Sequence, residues 1–349
     1  NQAMRTVLIN SGDTPMQYFE YFSYFDIAVH NFSDKTMDDF RDFQMNFSQE
    51  IFDIYENYLF QFVICILPND EIALIGKFHH LITDAWSLGL IIDNIAINYT
   101  KLFNNLEISE NLGLYSDFIK REQDYLTSSN YDKNKDFWKK ALEDIEPVSL
   151  KNVSSESYLS NRIEFTFSLE ESKLINDFCK QNHISAYVLF LTILNIYLYR
   201  TTTYDNFTIQ TPILNRLGKE KNTIGMFINM IPIPLKNDAN LSVLDLLQSI
   251  ATSSISYFKN SKYPYIDLLK DLRKSQNVDN YHIVYSFQNM RPKTDYPNLV
   301  TYHSEWNFVG YMQDEFVVNI TDINNSGSYH ISYDYRTDLF TKEEVTYIY

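Results

Sequence analysis

Two adjacent histidines, the second followed four residues later by an aspartate, are the residues best suited to chemistry in this chain. They lie in the run His79-His80-Leu81-Ile82-Thr83-Asp84-Ala85-Trp86-Ser87. An imidazole has an ordinary pKa of about 6.5, so near neutral pH it can accept a proton from an attacking amine or hydroxyl. A single histidine in an apolar segment is more often a packed core residue. The histidine pair together with the aspartate favours catalysis, and His80 is the candidate base.

The segments on either side place this pattern between a strand and a helix. The mostly apolar segment from Glu71 to Phe78 predicts a strand, and in extended backbone Phe78 and His80 would share one face while His79 points to the other. After Asp84, apolar residues recur at intervals of three and four, which is typical of an amphipathic helix packed on a core. These residues are Leu88, Ile91, Ile92, Ile95, Ala96, Tyr99, Leu102 and Phe103.

The start of this helix offers a second chemical group. The backbone N–H groups around Ala85 and Trp86 have no partners within the helix, so they would form a positive pole beside His80. A developing oxyanion could be stabilised there, which suits acyl transfer. Asp84 follows a turn and cannot be assumed to contact the histidine ring. We expect it to hold the loop through a buried ion pair, which is costly to break from either side.

No other motif competes with this one. Cys65 and Cys179 are too few and too far apart for a zinc site or a disulfide framework, so both are expected to be core thiols. The chain has no Gly-rich phosphate loop, no G-x-S-x-G elbow and no H-E-x-x-H helix, which argues against nucleotide enzymes, serine hydrolases and zinc proteases. The other histidines are expected to be surface or satisfied polar residues. They are His30, His183, His282, His303 and His330.

Composition limits the class of protein. At 349 residues the chain is longer than the length at which a single hydrophobic core stops growing, so two lobes are expected. A net charge of −16 argues against nucleic-acid binding, which needs a basic surface. Without a long apolar run or a signal peptide, we expect a cytoplasmic protein that does not enter a membrane.

The pattern of segments divides the chain into a first lobe at 1–145, an interlobe connection at 146–160 and a second lobe at 161–349. In the first lobe we expect strands near Arg5–Ile9, Gln61–Leu67 and Glu71–Phe78, and a helical stretch at Tyr115–Leu142. In the second lobe we expect helices at Glu170–Gln181 and Ala186–Tyr199, the latter capped by Ser185. Strands are expected at Asn161–Leu169, Asn206–Leu214, Thr223–Leu235, Tyr281–Asn289, Glu315–Thr321 and Ser328–Tyr335, the last two separated by a turn at Asn324–Gly327.

The histidine motif resembles the HHxxxDGWS signature of condensation domains of nonribosomal peptide synthetases, with Trp86 and Ser87 completing it. The resemblance extends over nearly the whole chain, because weaker sequence blocks occur before and after the motif in the same order as in the family. They are Met4-Arg5-Thr6-Val7, Tyr115-Ser116-Asp117-Phe118, Thr211-Pro212-Ile213-Leu214-Asn215-Arg216, Ile224-Gly225-Met226-Phe227-Ile228-Asn229 and Tyr263-Pro264-Tyr265.

The resemblance implies an α/β (α+β) fold of two chloramphenicol-acetyltransferase-like lobes in a V-shaped pseudo-dimer, each a mixed sheet flanked by helices, with a tunnel between them. Upstream and downstream peptidyl carrier domains would dock at its ends, and an adenylation domain would be adjacent in the same megaenzyme. Each carrier would bring its own phosphopantetheine arm, so no cofactor or metal is expected in the domain itself. His80 would position or deprotonate the acceptor amine, while His79 and Asp84 shape the loop.

Further site residues follow from the same resemblance. Arg216, in the block ending in Asn-Arg, is the cation expected to pair with Asp84. Gly225 and Asn229 would belong to a strand crossing between lobes, and Asn289 would end a strand that reaches the tunnel. Ala85 replaces the motif's glycine, which is harmless if this residue has ordinary helical φ. The family's opening SxAQxRLW block is absent.

Other functions remain open at this point. An epimerization domain is disfavoured because Pro212-Ile213-Leu214-Asn215-Arg216 stands where that subfamily has Glu-x-His-Gly-Arg-Glu, and the intact histidine pair argues against heterocyclization domains. A free-standing HHxxxD acyltransferase using acyl-coenzyme A is one alternative. A catalytically inactive platform that only docks carrier proteins is another.

Overall fold

A computed structural model of the chain describes residues 1–12, 14–68, 71–108, 113–151, 157–276, 281–288, 302–322 and 328–349. It has the mixed α/β composition expected from the sequence. The chain packs into two units. The first consists of Asn1–Glu122, Arg216–Phe227 and Pro292–Val309, of which 302–309 are described at the C-terminal end. The second consists of Gln123–Asn215, Ile228–Arg291 and Gly310–Tyr349. The lobe boundary at 146–160 stays a prediction.

The described residues of the first unit form two small sheets. Strands β1 (Thr6–Ser11) and β2 (Thr14–Phe19) form an antiparallel hairpin. Strand β4 (Phe60–Ile66) lies between β3 (Ala28–Asn31), which is parallel to it, and β5 (Ile72–Phe78), which is antiparallel. Helix α1 (Met37–Gln49) begins with a capping box at Thr36, and its aromatic side chains pack against the buried side chains of β4. Strand β5 ends at Phe78, and the histidine pair follows it directly.

Helix α2 (Ala85–Phe103) begins directly after Asp84, which confirms the predicted strand-to-helix junction. The predicted helical stretch Tyr115–Leu142 is instead two helices, α3 (Tyr115–Leu126) and α4 (Ser129–Ala141). They are separate because Ser128 has extended backbone, with φ −89° and ψ 154°, and acts as the N-cap residue of α4. Such extended dihedrals interrupt a helix even where the sequence keeps helical spacing.

The second unit is built on one seven-stranded sheet of described strands, in the order β6-β8-β10-β11-β12-β7, with β9 also paired to β8. Its strands are β6 (Glu146–Pro147), β7 (Ser160–Thr166), β8 (Asn206–Ile213), β9 (Asn229–Lys236), β10 (Ile283–Gln288), β11 (Phe316–Thr321) and β12 (His330–Arg336). Its helices after α4 are α5 (Leu169–Gln181), α6 (Ala186–Thr201), α7 (Val243–Lys259), α8 (Tyr265–Gln276) and α9 (Lys342–Ile348). The β-branched and aromatic residues of these strands form the larger core.

Helix α6 shows why this core forms. Ser185 caps it by accepting the N–H of Val188, as predicted, and the apolar residues that follow include Leu191 and Leu198, both completely buried. Within the described ranges, no single helix is long and apolar enough to cross a membrane, although α5 and α6 pass that test as a pair bent by 99°.

One predicted strand is shorter than expected. Pairing with β8 begins at Asn229, so Thr223–Ile228 lies outside the strand predicted at Thr223–Leu235. This segment turns toward the histidine motif because its backbone groups bond to the side chains of Asp84, Ser87 and Arg216. The predicted turn at Asn324–Gly327 and the strand end at Asn289 lie outside the described residues.

Candidate active site

The two histidines lie in a turn immediately after β5. The His79 N–H donates to the carbonyl of Leu59 at 2.8 Å, and the Ile82 N–H donates to the carbonyl of His79 at 3.1 Å. Because β5 ends at Phe78, the extended backbone assumed from the sequence does not continue to His80. The turn itself therefore decides how each ring is placed.

His79 is held within this turn. Its Nδ1 accepts the backbone N–H of Leu81 at 3.1 Å, and its ring meets the ring of Phe52 edge-on, with centroids 5.9 Å apart. Partial burial, and then the charge of His80, lower the pKa of His79 below its ordinary value. An imidazole that accepts an N–H and resists protonation serves as a fixed structural group near neutral pH.

His80 differs from its neighbour. Its side chain is exposed, and within the described part of the chain its ring has no hydrogen-bond or ion-pair partner. The ring nitrogens therefore remain available to an incoming proton donor. The exposed ring sits two residues before the Ile82-Thr83-Asp84 segment, whose side chains are all buried.

Asp84 anchors this segment. Its Oδ1 accepts the N–H of Ser87 at 2.8 Å, which makes Asp84 the N-cap residue of α2. Its Oδ2 accepts the N–H of Phe227 at 3.0 Å. One carboxylate thus fixes both the start of α2 and a second chain segment, while its negative charge lies at the positive end of the helix dipole.

The cation expected for Asp84 is present. Arg216 Nη2 donates to Asp84 Oδ1 at 2.8 Å and to Oδ2 at 3.0 Å, and both side chains have zero solvent exposure. The same nitrogen lies 2.7 Å from Ser87 Oγ, while Nη1 bonds to the carbonyls of Glu220 and Thr223. Burial lowers the pKa of Arg216, and the Asp84 carboxylate acts in the opposite direction.

Gly225 completes the buried network. Ser87 Oγ donates to the carbonyl of Gly225 at 2.6 Å and accepts its N–H at 2.9 Å. A Cβ on Gly225 would lie 2.3 Å from two ring carbons of Tyr115, so only glycine fits this contact. Gly225 lies in a bend before β9, which corrects its predicted place within a strand.

The start of α2 confirms one expectation about Ala85. It is the first residue of a regular helix and is not among the residues with positive φ, so the missing motif glycine costs no backbone strain. Trp86 Nε1 donates to the carbonyl of Lys221 at 2.9 Å. Of the first three helical N–H groups, only that of Ser87 has a partner among the residues described, and this leaves those of Ala85 and Trp86 for the predicted positive pole.

Of the two other predicted site residues, the one that the structure describes is not in this cluster. Asn229 belongs to the second unit, where its Nδ2 donates to the carbonyls of Ser261 and Tyr263 and its Oδ1 accepts the N–H of Tyr265. These bonds hold the turn that leads into α8, so Asn229 supports local structure. Asn289 lies outside the described residues.

Sequence reasoning missed two aromatic residues of the cluster. The Arg216 guanidinium stacks on the ring of Phe227, with Cζ 3.9 Å from the ring centroid. Tyr115 packs against Phe227 and donates its hydroxyl to the carbonyl of Met226 at 2.7 Å. Burial, followed by the charge of Asp84, raises the pKa of Tyr115 to about 12. Both residues lie in recognised sequence blocks, but their contacts depend on the fold.

Comparison with known proteins decides what this motif belongs to. The protein-family model described as "Condensation domain" matches residues 1–349. The chain belongs to the condensation domain family. Condensation domains of nonribosomal peptide synthetases are acyltransferases that form amide bonds.

Its curated relatives are much longer synthetases. This condensation domain is 28% identical over 361 residues to surfactin synthase subunit 1 of Bacillus subtilis (strain 168), covering 100% of the chain and 10% of that protein. It is 21% identical over 358 residues to gramicidin S synthase 2 of Aneurinibacillus migulanus, covering 99% of the chain and 8% of that protein. The chain therefore spans only a small part of these relatives.

Solved structures share the fold. The starter condensation domain of rhizomide synthetase in complex with C8-CoA superposes with a TM-score of 0.84 at 16% identity, over 99% of this chain and 80% of that one. The first condensation domain of the calcium-dependent antibiotic synthetase, in complex with a substrate analogue, gives 0.80 at 14% identity, over 99% and 82%. A four-domain holo nonribosomal peptide synthetase bound to AMP and glycine gives 0.85 at 17%, over 99% and 28%.

Proposed function

We propose that this condensation domain transfers an acyl or peptidyl group from a thioester on one carrier domain to the α-amine of an aminoacyl thioester on the next. The amine nitrogen attacks the thioester carbonyl, an amide C–N bond forms, and the C–S bond breaks to release the donor thiol. The observation that carries the proposal is the exposed His80 ring, which has no bonded partner among the described residues and is held next to a segment fixed by the buried Asp84–Arg216 pair.

His80 would act on the acceptor amine. An α-amine has a pKa of about 7.7 to 8.0, so near neutral pH a minority of it is already free base, and orientation matters as much as proton removal. His80 would take the proton that the nitrogen loses as the amide forms, and that proton would then reach the departing sulfur. The N–H groups of Ala85 and Trp86 would stabilise the oxyanion of the tetrahedral intermediate.

His79 and Asp84 would shape the turn without contacting the substrate. His79 holds the turn through the Leu81 N–H, and Asp84 fixes the start of α2 through the Ser87 N–H. Arg216, Ser87 and Gly225 would support Asp84. Loss of any of these residues should displace His80 rather than remove a reacting group.

The partners follow from the reaction. The relatives are multidomain synthetase modules with carrier and adenylation domains. We infer that upstream and downstream peptidyl carrier domains bring the two phosphopantetheine thioesters to this domain, and that an adenylation domain in the same megaenzyme loads one of them. We place the reaction in the cytoplasm, where an adenylation domain would find its ATP.

The test is product formation from two loaded carriers. One carrier bears a donor acyl or aminoacyl thioester, the other an acceptor aminoacyl thioester, and mass spectrometry follows the amide on the acceptor arm. We expect product with the wild-type chain and little with H80A. Activity on acyl-coenzyme A without carriers would favour the free-standing acyltransferase. Equal product with wild type and H80A would favour the inactive docking platform.

A further inference from the structure

The segment after Arg216 determines where its guanidinium lies. Residues 217–223, called here the 217–223 loop, contain a short 3-10 helix at Gly218–Asn222. The carbonyls of Glu220 and Thr223 accept hydrogen bonds from Arg216 Nη1. Since Nη1 and Nη2 belong to one planar group, fixing these two carbonyls also fixes the direction of Nη2 toward Asp84.

The Glu220 side chain holds this loop in two ways. Its Oε2 accepts the N–H of Leu217 at 2.7 Å, which closes the start of the 3-10 helix. Its Oε1 accepts Nε–H of Arg121 at 2.8 Å. The first bond is local to the loop, whereas the second connects the loop to helix α3.

Arg121 provides a firm attachment on α3. Its guanidinium lies over the ring of Phe118, 5.1 Å from the centroid, and also 3.5 Å from a carboxylate oxygen of Glu122. The side chains of Arg121 and Glu220 are 21% and 13% exposed, so water screens their ion pair less than it screens a surface pair. On the α2 side, Trp86 Nε1 bonds to the carbonyl of Lys221.

We propose that the Arg121–Glu220 ion pair is a brace that positions the 217–223 loop, and through Arg216 and Asp84 sets the orientation of the His80 turn. Arg121 and Glu220 are thus positioning residues. This inference rests on the proposed function, since its activity readout is amide formation. The brace acts through a continuous chain of bonds, from α3 to Glu220, then to Arg216 Nη1, and from Nη2 to Asp84.

The activity test uses variants that separate the two roles of Glu220. In E220Q the amide oxygen can still accept the Leu217 N–H, but the charge that holds Arg121 is lost. We expect R121Q and E220Q each to lower the turnover number for amide formation about 10-fold, with R121K losing less than R121Q because it keeps the charge. The double variant R121Q/E220Q should be no worse than R121Q alone, because the interaction that E220Q removes is already lost in R121Q.

A matched ion pair in the second unit is the control. Arg162 and Asp334 are joined by two bonds of 2.6 and 2.8 Å, with side-chain exposures of 26% and 10%, close to those of the brace. R162Q should lower the melting temperature as much as R121Q does, yet leave turnover within about twofold. If R121Q and R162Q lose activity in the same proportion as they lose stability, or if R121Q loses none, the brace is refuted.

A spectroscopic readout tests the brace without any activity. The chain has three tryptophans, so 5-fluorotryptophan labelling should give three ¹⁹F resonances, with that of Trp86 identified from W86F. We expect R121Q and E220Q to shift the Trp86 resonance, because the loop carbonyl that accepts its Nε1–H moves, while R162Q leaves it in place. An unmoved Trp86 resonance in R121Q would overturn the proposal. A shift in a chain that makes no amide would support the brace and reject the proposed function separately.

Discussion

The side chains of Asp84 and Arg216 are two charges without solvent exposure, and this burial determines which substitutions each position tolerates. Removing charges from water is expensive, and only mutual attraction with further hydrogen bonds offsets that cost. The carboxylate accepts bonds from Arg216, Ser87 and Phe227, so each oxygen is satisfied. Neither residue is therefore replaceable by itself.

The first prediction concerns Arg216. R216M should reduce the free energy of unfolding by about 3 to 5 kcal/mol, because it leaves the Asp84 charge buried without a cation. R216K should also destabilise the protein, because one ammonium cannot reproduce the bonds of both guanidinium nitrogens. Urea unfolding followed by circular dichroism measures the effect.

The control is an exposed ion pair in the same unit. Arg41 and Asp38 form such a pair, with side chains 68% and 86% exposed, so R41M should change the free energy of unfolding by less than about 0.5 kcal/mol. A loss in R216M no larger than that in R41M would contradict the role given to the buried pair.

Some of the site residues could be identified from the sequence alone. The histidine pair and the aspartate could be found from spacing, and the pairing with Arg216 from the order of family blocks. The stacking of Arg216 on Phe227 could not be predicted, since these residues are eleven positions apart and meet only because Thr223–Ile228 folds away from strand geometry.

At the scale of elements, the junction of β5 and α2 is fixed by a second segment that bonds across it. Gly225 has no side chain, so the ring of Tyr115 lies against its backbone while its N–H and carbonyl both bond to Ser87. Helix α3, which begins at Tyr115, thus packs directly on the segment that holds the start of α2. Any side chain at position 225 must separate them.

The second prediction follows from this contact. G225A should lower the free energy of unfolding by about 1 to 3 kcal/mol, because the new Cβ overlaps the Tyr115 ring and that ring cannot move without losing its bond to Met226. Turnover should fall with it, since displacement of the backbone at position 225 weakens its two bonds to Ser87. Replacing Tyr115 by leucine in the G225A background should restore part of the lost stability. Equal instability of G225A and G225A/Y115L would contradict this explanation.

Element boundaries were predictable where patterns were long. The apolar spacing of α2 and the Ser185 cap of α6 correspond to observed elements, because burial of one helix face selects such patterns. Helices α1, α7 and α8 and the short strands β2, β3 and β6 were not anticipated. The described residues of β2 and β3 are mostly exposed, so they carry little of the alternation that marks a strand.

At the scale of the whole molecule, stability should depend on pH through a carboxylate far from the histidine motif in sequence. Asp314 precedes β11 in the second unit, where burial raises its pKa to about 6, and the Gln210 amide that donates to it at 2.9 Å partly opposes that rise. The folded protein therefore holds this proton more tightly than the unfolded chain, in which the pKa is near its ordinary value of 3.8.

The third prediction is the resulting pH dependence. A raised pKa in the folded state contributes stability that is complete below about pH 4 and is lost as the pH rises through about 6. D314N, which keeps an acceptor for Gln210, should be as stable as wild type at pH 4. It should be more stable by about 2 to 3 kcal/mol at pH 7.5. Urea unfolding at the two pH values measures this difference, and an equal difference at both would contradict it.

The most direct test of the account is the single-turnover rate of amide formation by wild type and H80A with both carriers loaded and saturating. His80 is exposed and has no bonded partner among the described residues. The free energy of unfolding of H80A should therefore lie within about 0.5 kcal/mol of the wild-type value. We expect its rate to fall at least about 100-fold, because a positioned acid–base group is lost. A rate within about twofold of wild type, in a folded H80A chain, would contradict it.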